Sequence, residues 1–383
     1  MDDQQKIKYE MNKIIYSVMG SLLALLTSCA QPDKELYLFV GTYAKQSDSG
    51  IYLDRFNTDD GSAVLVKEVS GIGNPSYMNL SKDEKFLYSV SETDVPDAKA
   101  YVYSFDKKTA EINLLNKQAT EGSAPCHIWI DSKRSLAVTA NYMGGSISVF
   151  SIMPTGELGD LKLFTYEGGT PGSSRQKAPH LHCIYASPDE KYLYANDLGT
   201  DRIYKYDIIA GEDGKRTLKE GQPAFFEVQA GEGPRHTAFH PNGNFAYLIS
   251  ELSGHVVVLQ YNNGNMAPVQ YIEADTLKAS SSADIHITPD GRFLYASNRN
   301  KGDGLAIFSI DQKSGLLTKI GYQPTGRTPR NFIITPDGKY LLCACQNDNV
   351  VQVFTIDKQS GFLKNINKDI TVSKPVCLKF AKI

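Results

Sequence analysis

Apolar residues along this chain come in short runs rather than long helical stripes, and one phrase keeps returning: a turn with Pro or Asp, an aromatic or aliphatic run, then a polar end. Its copies are Leu36-Tyr37-Leu38, Phe86-Leu87-Tyr88, Leu136-Ala137-Val138, Tyr192-Leu193-Tyr194, Phe245-Ala246-Tyr247, Phe293-Leu294-Tyr295 and Tyr340-Leu341-Leu342. Measured between the anchors Tyr37, Phe86, Leu136, Tyr192, Phe245, Phe293 and Tyr340, successive copies lie 49, 50, 56, 53, 48 and 47 residues apart. Seven units of that length predict an all-β chain of four-stranded blades around a channel, a seven-bladed β-propeller.

Each unit contains the same parts. An inner strand such as Thr237-Ala238-Phe239 meets a tight turn such as Pro241-Asn242-Gly243 or Pro289-Asp290-Gly291, and the anchor strand follows. A third strand alternates apolar residues, as in Ala306-Ile307-Phe308, and Asp311 to Leu316 reads as the hairpin into a fourth. The first anchor strand, Leu36 to Tyr43, has no inner strand before it, whereas Pro375 to Phe380 reads as an inner strand with no blade after it. Joining the two would close the ring and cover a sheet edge. The propeller domain is therefore expected over residues 36–383, with no helical period long enough for a second domain.

The segment before it has a different character. Lys6, Lys8 and Lys13 precede an apolar run from Ile14 to Leu26 that is short for a membrane span, so residues 1–28 read as a signal peptide. Leu26-Thr27-Ser28-Cys29 resembles a bacterial lipobox with Cys29 as the lipidation site, and residues 29–35 form a polar tether. The expectation is an exported bacterial lipoprotein that meets the membrane only through its anchor. Forty basic and 43 acidic side chains leave a net charge of −3, which argues against a nucleic-acid surface. The five remaining cysteines, Cys126, Cys183, Cys343, Cys345 and Cys377, are odd in number and read as small buried residues rather than a disulfide framework.

Aligning the repeats on their anchors stacks residues in columns around the axis. Ten positions before the anchor stand Ser76, Cys126, His182, Arg235, Ala283 and Arg330; six positions after it stand Tyr43, Glu92, Tyr142, Leu198, Glu251, Arg299 and Gln346. In an antiparallel hairpin both columns fall at the end remote from the turn, on one rim of the channel. His127 and His236 lie one place further along the inner strand, with His180, Asn141, Asp197 and Asn298 nearby. Taken singly, each is an ordinary rim residue. Together they offer a base, a carboxylate and several guanidinium groups to a small anionic ligand. His180 and His182 could share a metal, but no Cys or carboxylate spacing completes a set, and Gly231-Glu232-Gly233 lacks the context of a dinucleotide loop, so no metal or cofactor is expected.

Eight motifs in order resemble the seven-bladed lactonase family: Gly41-Thr42-Tyr43, Ala140-Asn141-Tyr142, Pro179-His180-Leu181-His182, Asn196-Asp197-Leu198-Gly199, Gly233-Pro234-Arg235-His236, Glu251-Leu252, Ser297-Asn298-Arg299 and Pro329-Arg330-Asn331-Phe332. That family includes propeller-type 6-phosphogluconolactonases and fungal carboxymuconate cyclases. The resemblance implies catalytic roles for His182, Arg235, Glu251 and Arg299, while the rim columns and their neighbours make Tyr43, Glu92, His127, Asn141, Tyr142, His180, Asp197, His236, Asn298 and Arg330 the candidates for binding substrate. In hydrolysis His182 or Glu251 would take a proton from water while arginines hold the substrate anion and the developing oxyanion. The expected substrate is a sugar-acid or related anionic lactone. The rival readings are a cycloisomerase and a non-catalytic propeller that binds a sugar acid or a protein. The apparent export signal departs from the cytoplasmic setting of 6-phosphogluconolactone and favours an extracytoplasmic lactone.

Overall fold

The repeated phrase forms a strand in all seven copies, since its aromatic and β-branched residues suit a pleated surface buried on both faces. In the computed structural model, which describes residue 2 and residues 34–170, 172–211 and 215–383, these strands are Glu35–Thr42, Phe86–Ser91, Leu136–Asn141, Tyr192–Asp197, Phe245–Ser250, Phe293–Asn298 and Tyr340–Cys345. The expected signal peptide, the lipidation site Cys29 and the tether up to residue 33 lie outside the described residues.

Each anchor strand is the second of an antiparallel sheet, giving seven sheets in all. The ring closes as the repeat pattern requires. Pro375–Lys382 pairs antiparallel with Glu35–Thr42, from Leu36 opposite Lys382 to Thr42 opposite Pro375, and supplies the inner strand of the first blade. The seven inner strands touch one another in an unbroken cycle, the C-terminal strand lying between Pro329–Ile334 and Met78–Leu80.

The apolar core is divided among the seams between blades. Seven buried clusters fill seven seams: Leu38, Val40, Phe56, Leu342, Val351 and Val353 join the last blade to the first, and Phe245, Tyr247, Val256, Leu294 and Phe308 join the fifth to the sixth. A second device latches four of the seams at the periphery. The hydroxyls of Tyr88, Tyr194, Tyr247 and Tyr295 donate to the carbonyls of Gly156, Gly264, Gly315 and Gly361 in the next blade's outer hairpin, at 2.7, 3.0, 2.8 and 2.8 Å. The anchor rings lie flush on the same glycines.

The inner strands depart from a simple ladder at one repeated place. Residue 376 is skipped in the pairing of the first blade, residue 126 in the third, 182 in the fourth, 235 in the fifth and 330 in the seventh, while the sixth skips 283 and 284. Each skip is a β-bulge, which sets two residues against one and re-aims a side chain out of the regular alternation. The column ten positions before the anchor is thus largely a column of bulge residues. The five cysteines are all free and buried.

Candidate active site

Bulges bring the residues of the site together. At Arg235 the bulge lets two consecutive side chains engage the interior: Arg235 binds Glu251 and the carbonyl of Ala283, while His236 binds Asp284. Glu251 is the residue just past the end of the paired strand Phe245–Ser250, which sets its carboxylate beside the bulge of the same hairpin.

Glu251 is the centre of the charged group. Its Oε2 accepts from Arg235 Nε at 2.8 Å and lies 3.4 Å from an Arg299 nitrogen, and its Oε1 accepts from Arg175 at 2.7 Å. Burial alone would raise this carboxyl, but Arg299, Arg235 and Arg175 outweigh it and hold it down at about 2. Burial depresses Arg299 to about 9, with Arg235 and Arg330 adding repulsion, so the guanidinium still carries its charge at neutral pH. Arg299 is fixed by donating Nε to the Ser281 carbonyl at 2.8 Å. Arg235 is 1% exposed, and its guanidinium is met by Glu251 and the Ala283 carbonyl.

A second acid and base pair lies alongside. Glu92 accepts from the Tyr43 hydroxyl at 2.9 Å and lies 3.7 Å from Arg330, whose guanidinium also stands over the Tyr43 ring at 5.0 Å. Burial raises the Tyr43 hydroxyl above its ordinary range, and Glu92 adds to it, so it remains a donor. Tyr142 stacks on His180 at 4.5 Å and meets His182 edge-on at 5.6 Å.

Below these groups lies a cluster of imidazoles. His182 and His236 have ring centres 5.2 Å apart, and His127 lies 5.6 Å from His236 while stacking on Tyr77 at 3.9 Å. Burial pushes His182 and His127 well below the usual histidine range, helped by Arg235 for the first and by His236 for the second; burial and Arg235 bring His236 to about 4 despite Asp284. All three are neutral imidazoles at pH 7. His182 Nδ1 and His236 Nε2 are buried and meet no hydrogen-bond partner among the described residues.

Of the residues expected at the site, eleven fall into three groups held by direct contacts: Arg235, Glu251 and Arg299; Tyr43, Glu92 and Arg330; and Tyr142, His180, His182, His236 and His127. Asn141, Asp197 and Asn298 are placed otherwise. Each sits one place before the rim column, so strand alternation turns it the other way. Asn141 bonds Ser146, Ser148 and Thr139; Asp197 accepts from His180 N, Gly199 N and the Thr200 hydroxyl; Asn298 accepts from Ser282 and donates to Ala274. Their hydrogen bonds tie them to the strands and loops that flank the site.

Arg175 and Asp284 were missed. Arg175 comes from the loop between Leu158–Thr165 and Leu181–Ala186, outside every repeat column; its one trace was the 56-residue interval, the longest of the series. Asp284 belongs to the same column as His127 and His236, one place beyond Ala283, and reading that column to its end would have found it.

Comparison with known proteins gives one consistent result. The family model for the seven-bladed β-propeller lactonases matches residues 37–380. The chain is 37% identical over 343 residues to a protein of Formosa agariphila named 6-phosphogluconolactonase, covering 88% of this chain and 97% of that one. A crystal structure from Bacteroides fragilis is 47% identical with a TM-score of 0.88, covering 92% of this chain and 99% of that one. The structure of the periplasmic gluconolactonase of Pseudomonas aeruginosa is 31% identical with a TM-score of 0.85, covering 91% and 100%. The match spans all seven blades and every residue of the charged group, and this chain belongs to the seven-bladed β-propeller lactonase family.

Proposed function

We propose that this protein is a lactonase that hydrolyses a sugar-acid or related anionic lactone at the arginine-lined mouth of its channel. The observation that carries the reading is the charge of that mouth. Four guanidinium groups, from Arg175, Arg235, Arg299 and Arg330, are paired with two carboxylates, Glu251 and Glu92, and Asp284 lies behind them on His236, which leaves a net positive charge beside neutral imidazoles. Such a surplus, held by buried contacts before any ligand arrives, suits a carboxylate or phosphate and the oxyanion that forms as a lactone carbonyl is attacked.

Arg330 and Arg175, the more exposed pair, would hold the substrate anion, while Arg235 and Arg299 stabilise the oxyanion. Glu251 then serves as the counter-ion that fixes both arginines, because a carboxyl held at about 2 is a poor acceptor of a proton at neutral pH. The names of the relatives from Formosa agariphila and Pseudomonas aeruginosa support a sugar lactone, and the second, together with the N-terminal segment, supports one met outside the cytoplasm.

The test is proton release by purified protein against a panel of sugar lactones with and without phosphate or carboxylate groups. Turnover of a charged member supports the reading. A folded protein inert to every lactone would favour a binding platform, and formation of lactone from an open unsaturated acid would favour cycloisomerisation.

A further inference from the structure

The lactonase reading leaves open which group takes the proton from water, and Glu251 is poorly suited to it. We propose that His236, oriented by Asp284, is the general base of the hydrolysis; the inference rests on lactone hydrolysis at this mouth.

Asp284 is a buried carboxylate in the bulge of the strand Ser282–Ile287. Its Oδ1 lies 2.8 Å from His236 Nδ1, and its Oδ2 lies 3.0 Å from His286 Nε2 and accepts from the Asn331 amide and, at 3.2 Å, from Phe332 N. Burial alone would raise this carboxyl, but His286 and His236 hold it well below the ordinary range, so it is an acceptor at neutral pH. An ionised carboxylate at Nδ1 demands the proton on that nitrogen and therefore leaves the lone pair on Nε2. That atom is buried, has no hydrogen-bond partner among the described residues, and belongs to a ring 5.2 Å from His182, whose Nδ1 is likewise unpartnered among them.

The other imidazoles of this group are occupied or unoriented. His127 Nε2 lies 3.5 Å from Cys183 Sγ, and its Nδ1 receives the Ile184 amide at 3.4 Å. His286 turns its Nε2 to Asp284. His182 has no carboxylate that sets its tautomer. The titratable and charged groups facing His236 are Asp284, Arg235, Arg330, His182, His127 and Tyr77. The cations and burial keep the ring neutral, while Asp284 steadies the imidazolium that forms when it takes a proton.

In the step, Nε2 removes a proton from water as the water oxygen bonds to the lactone carbonyl carbon, and Arg235 and Arg299 hold the oxyanion. The tetrahedral intermediate collapses with cleavage of the bond from that carbon to the ring oxygen. The ring oxygen takes the proton from Nε2, giving a hydroxy acid that loses its own proton to solvent.

The test compares wild type, His236→Gln and Asp284→Asn on the lactone that the wild type hydrolyses, measuring kcat and KM across pH. His236→Gln should lower kcat by about 10²-fold or more with KM changed only a few-fold. Asp284→Asn, a positioning variant, should lower kcat and move the acid limb of the profile to lower pH, because the imidazolium loses its counter-charge. Nitrogen NMR of the full-length wild type gives a reading independent of the variants' folding: His236 should carry its proton on Nδ1. Wild-type kcat in folded His236→Gln, or a proton on Nε2, would overturn the assignment while leaving the lactonase reading intact. A wild type without lactonase activity would overturn both.

Discussion

Glu251 receives three guanidinium groups, and that determines how its removal should act. In the unfolded chain its carboxyl has an ordinary value near 4.5, while in the fold it is held at about 2. A carboxyl depressed on folding contributes stability that is fully present above its unfolded value and is lost as pH falls through 4.5 towards 2. A shift of that size corresponds to roughly 3 kcal/mol. Glu251→Gln should therefore unfold at a lower temperature at pH 7 and lose much of the wild type's extra acid sensitivity between about pH 5 and 2, as followed by thermal melts across pH. Identical melting at pH 7 would mean that Arg235 and Arg299 do not depend on this carboxylate. Much of this group was legible beforehand, since Arg235 and Glu251 bracket one hairpin and repeat arithmetic sets them level. Arg175 was not, because a loop residue reaches its partner through a path that no period describes. Nor were the hydrogen bonds that tie Asn141, Asp197 and Asn298 to neighbouring strands and loops, because they depend on strand pairing that polarity alone does not reveal.

At the scale of the element, the anchor strand acts through what it presses against. Phe245 opens one such strand, and a Cβ added at Gly315 in the neighbouring hairpin would stand 2.5 Å from its ring, at a φ of +69° that L side chains resist. Gly71 has a similar φ of +85°, yet its added Cβ would meet nothing within 4 Å. Gly71→Ala should thus cost only backbone strain of about 1 kcal/mol, whereas Gly315→Ala should cost that and roughly 1–3 kcal/mol of overpacking at the seam. Denaturant melts of the two variants measure the difference, and equal losses would mean that the ring and glycine latch contributes nothing. The strands themselves were readable because aromatic anchors and turn residues recur. The bulges were not: a skipped residue leaves no mark in the pattern of apolar and polar positions, only in the pairing of two strands.

For the whole molecule, closure and placement are separate matters. The C-terminal strand pairs along the whole of the first anchor strand and buries Val376, Cys377 and Leu378. Removing residues 374–383 would expose a sheet edge and two seams at once, a loss of several kcal/mol and comparable with the stability of a typical domain. The truncated protein should unfold at a markedly lower temperature or fail to fold, and an unchanged melting temperature would contradict closure by this strand. Placement rests on the N-terminal segment alone. We propose from the lipobox-like run Leu26-Thr27-Ser28-Cys29 that Cys29 carries a lipid anchor; Cys29→Ala should then release the protein from the membrane fraction, and fractionation equal to wild type would refute lipidation there.

The surplus positive charge at the mouth is expected to select an anionic lactone over a neutral one. The most direct measurement is kcat/KM by proton release for two lactones with the same ring, one bearing a phosphate or carboxylate and the other neutral, in wild type and Arg330→Gln. The wild type should prefer the anionic lactone by about tenfold or more, the value of one well-placed charged hydrogen bond, and Arg330→Gln should lose most of that preference through a higher KM. Equal turnover of the two lactones by the wild type, or a preference untouched by Arg330→Gln, would contradict it.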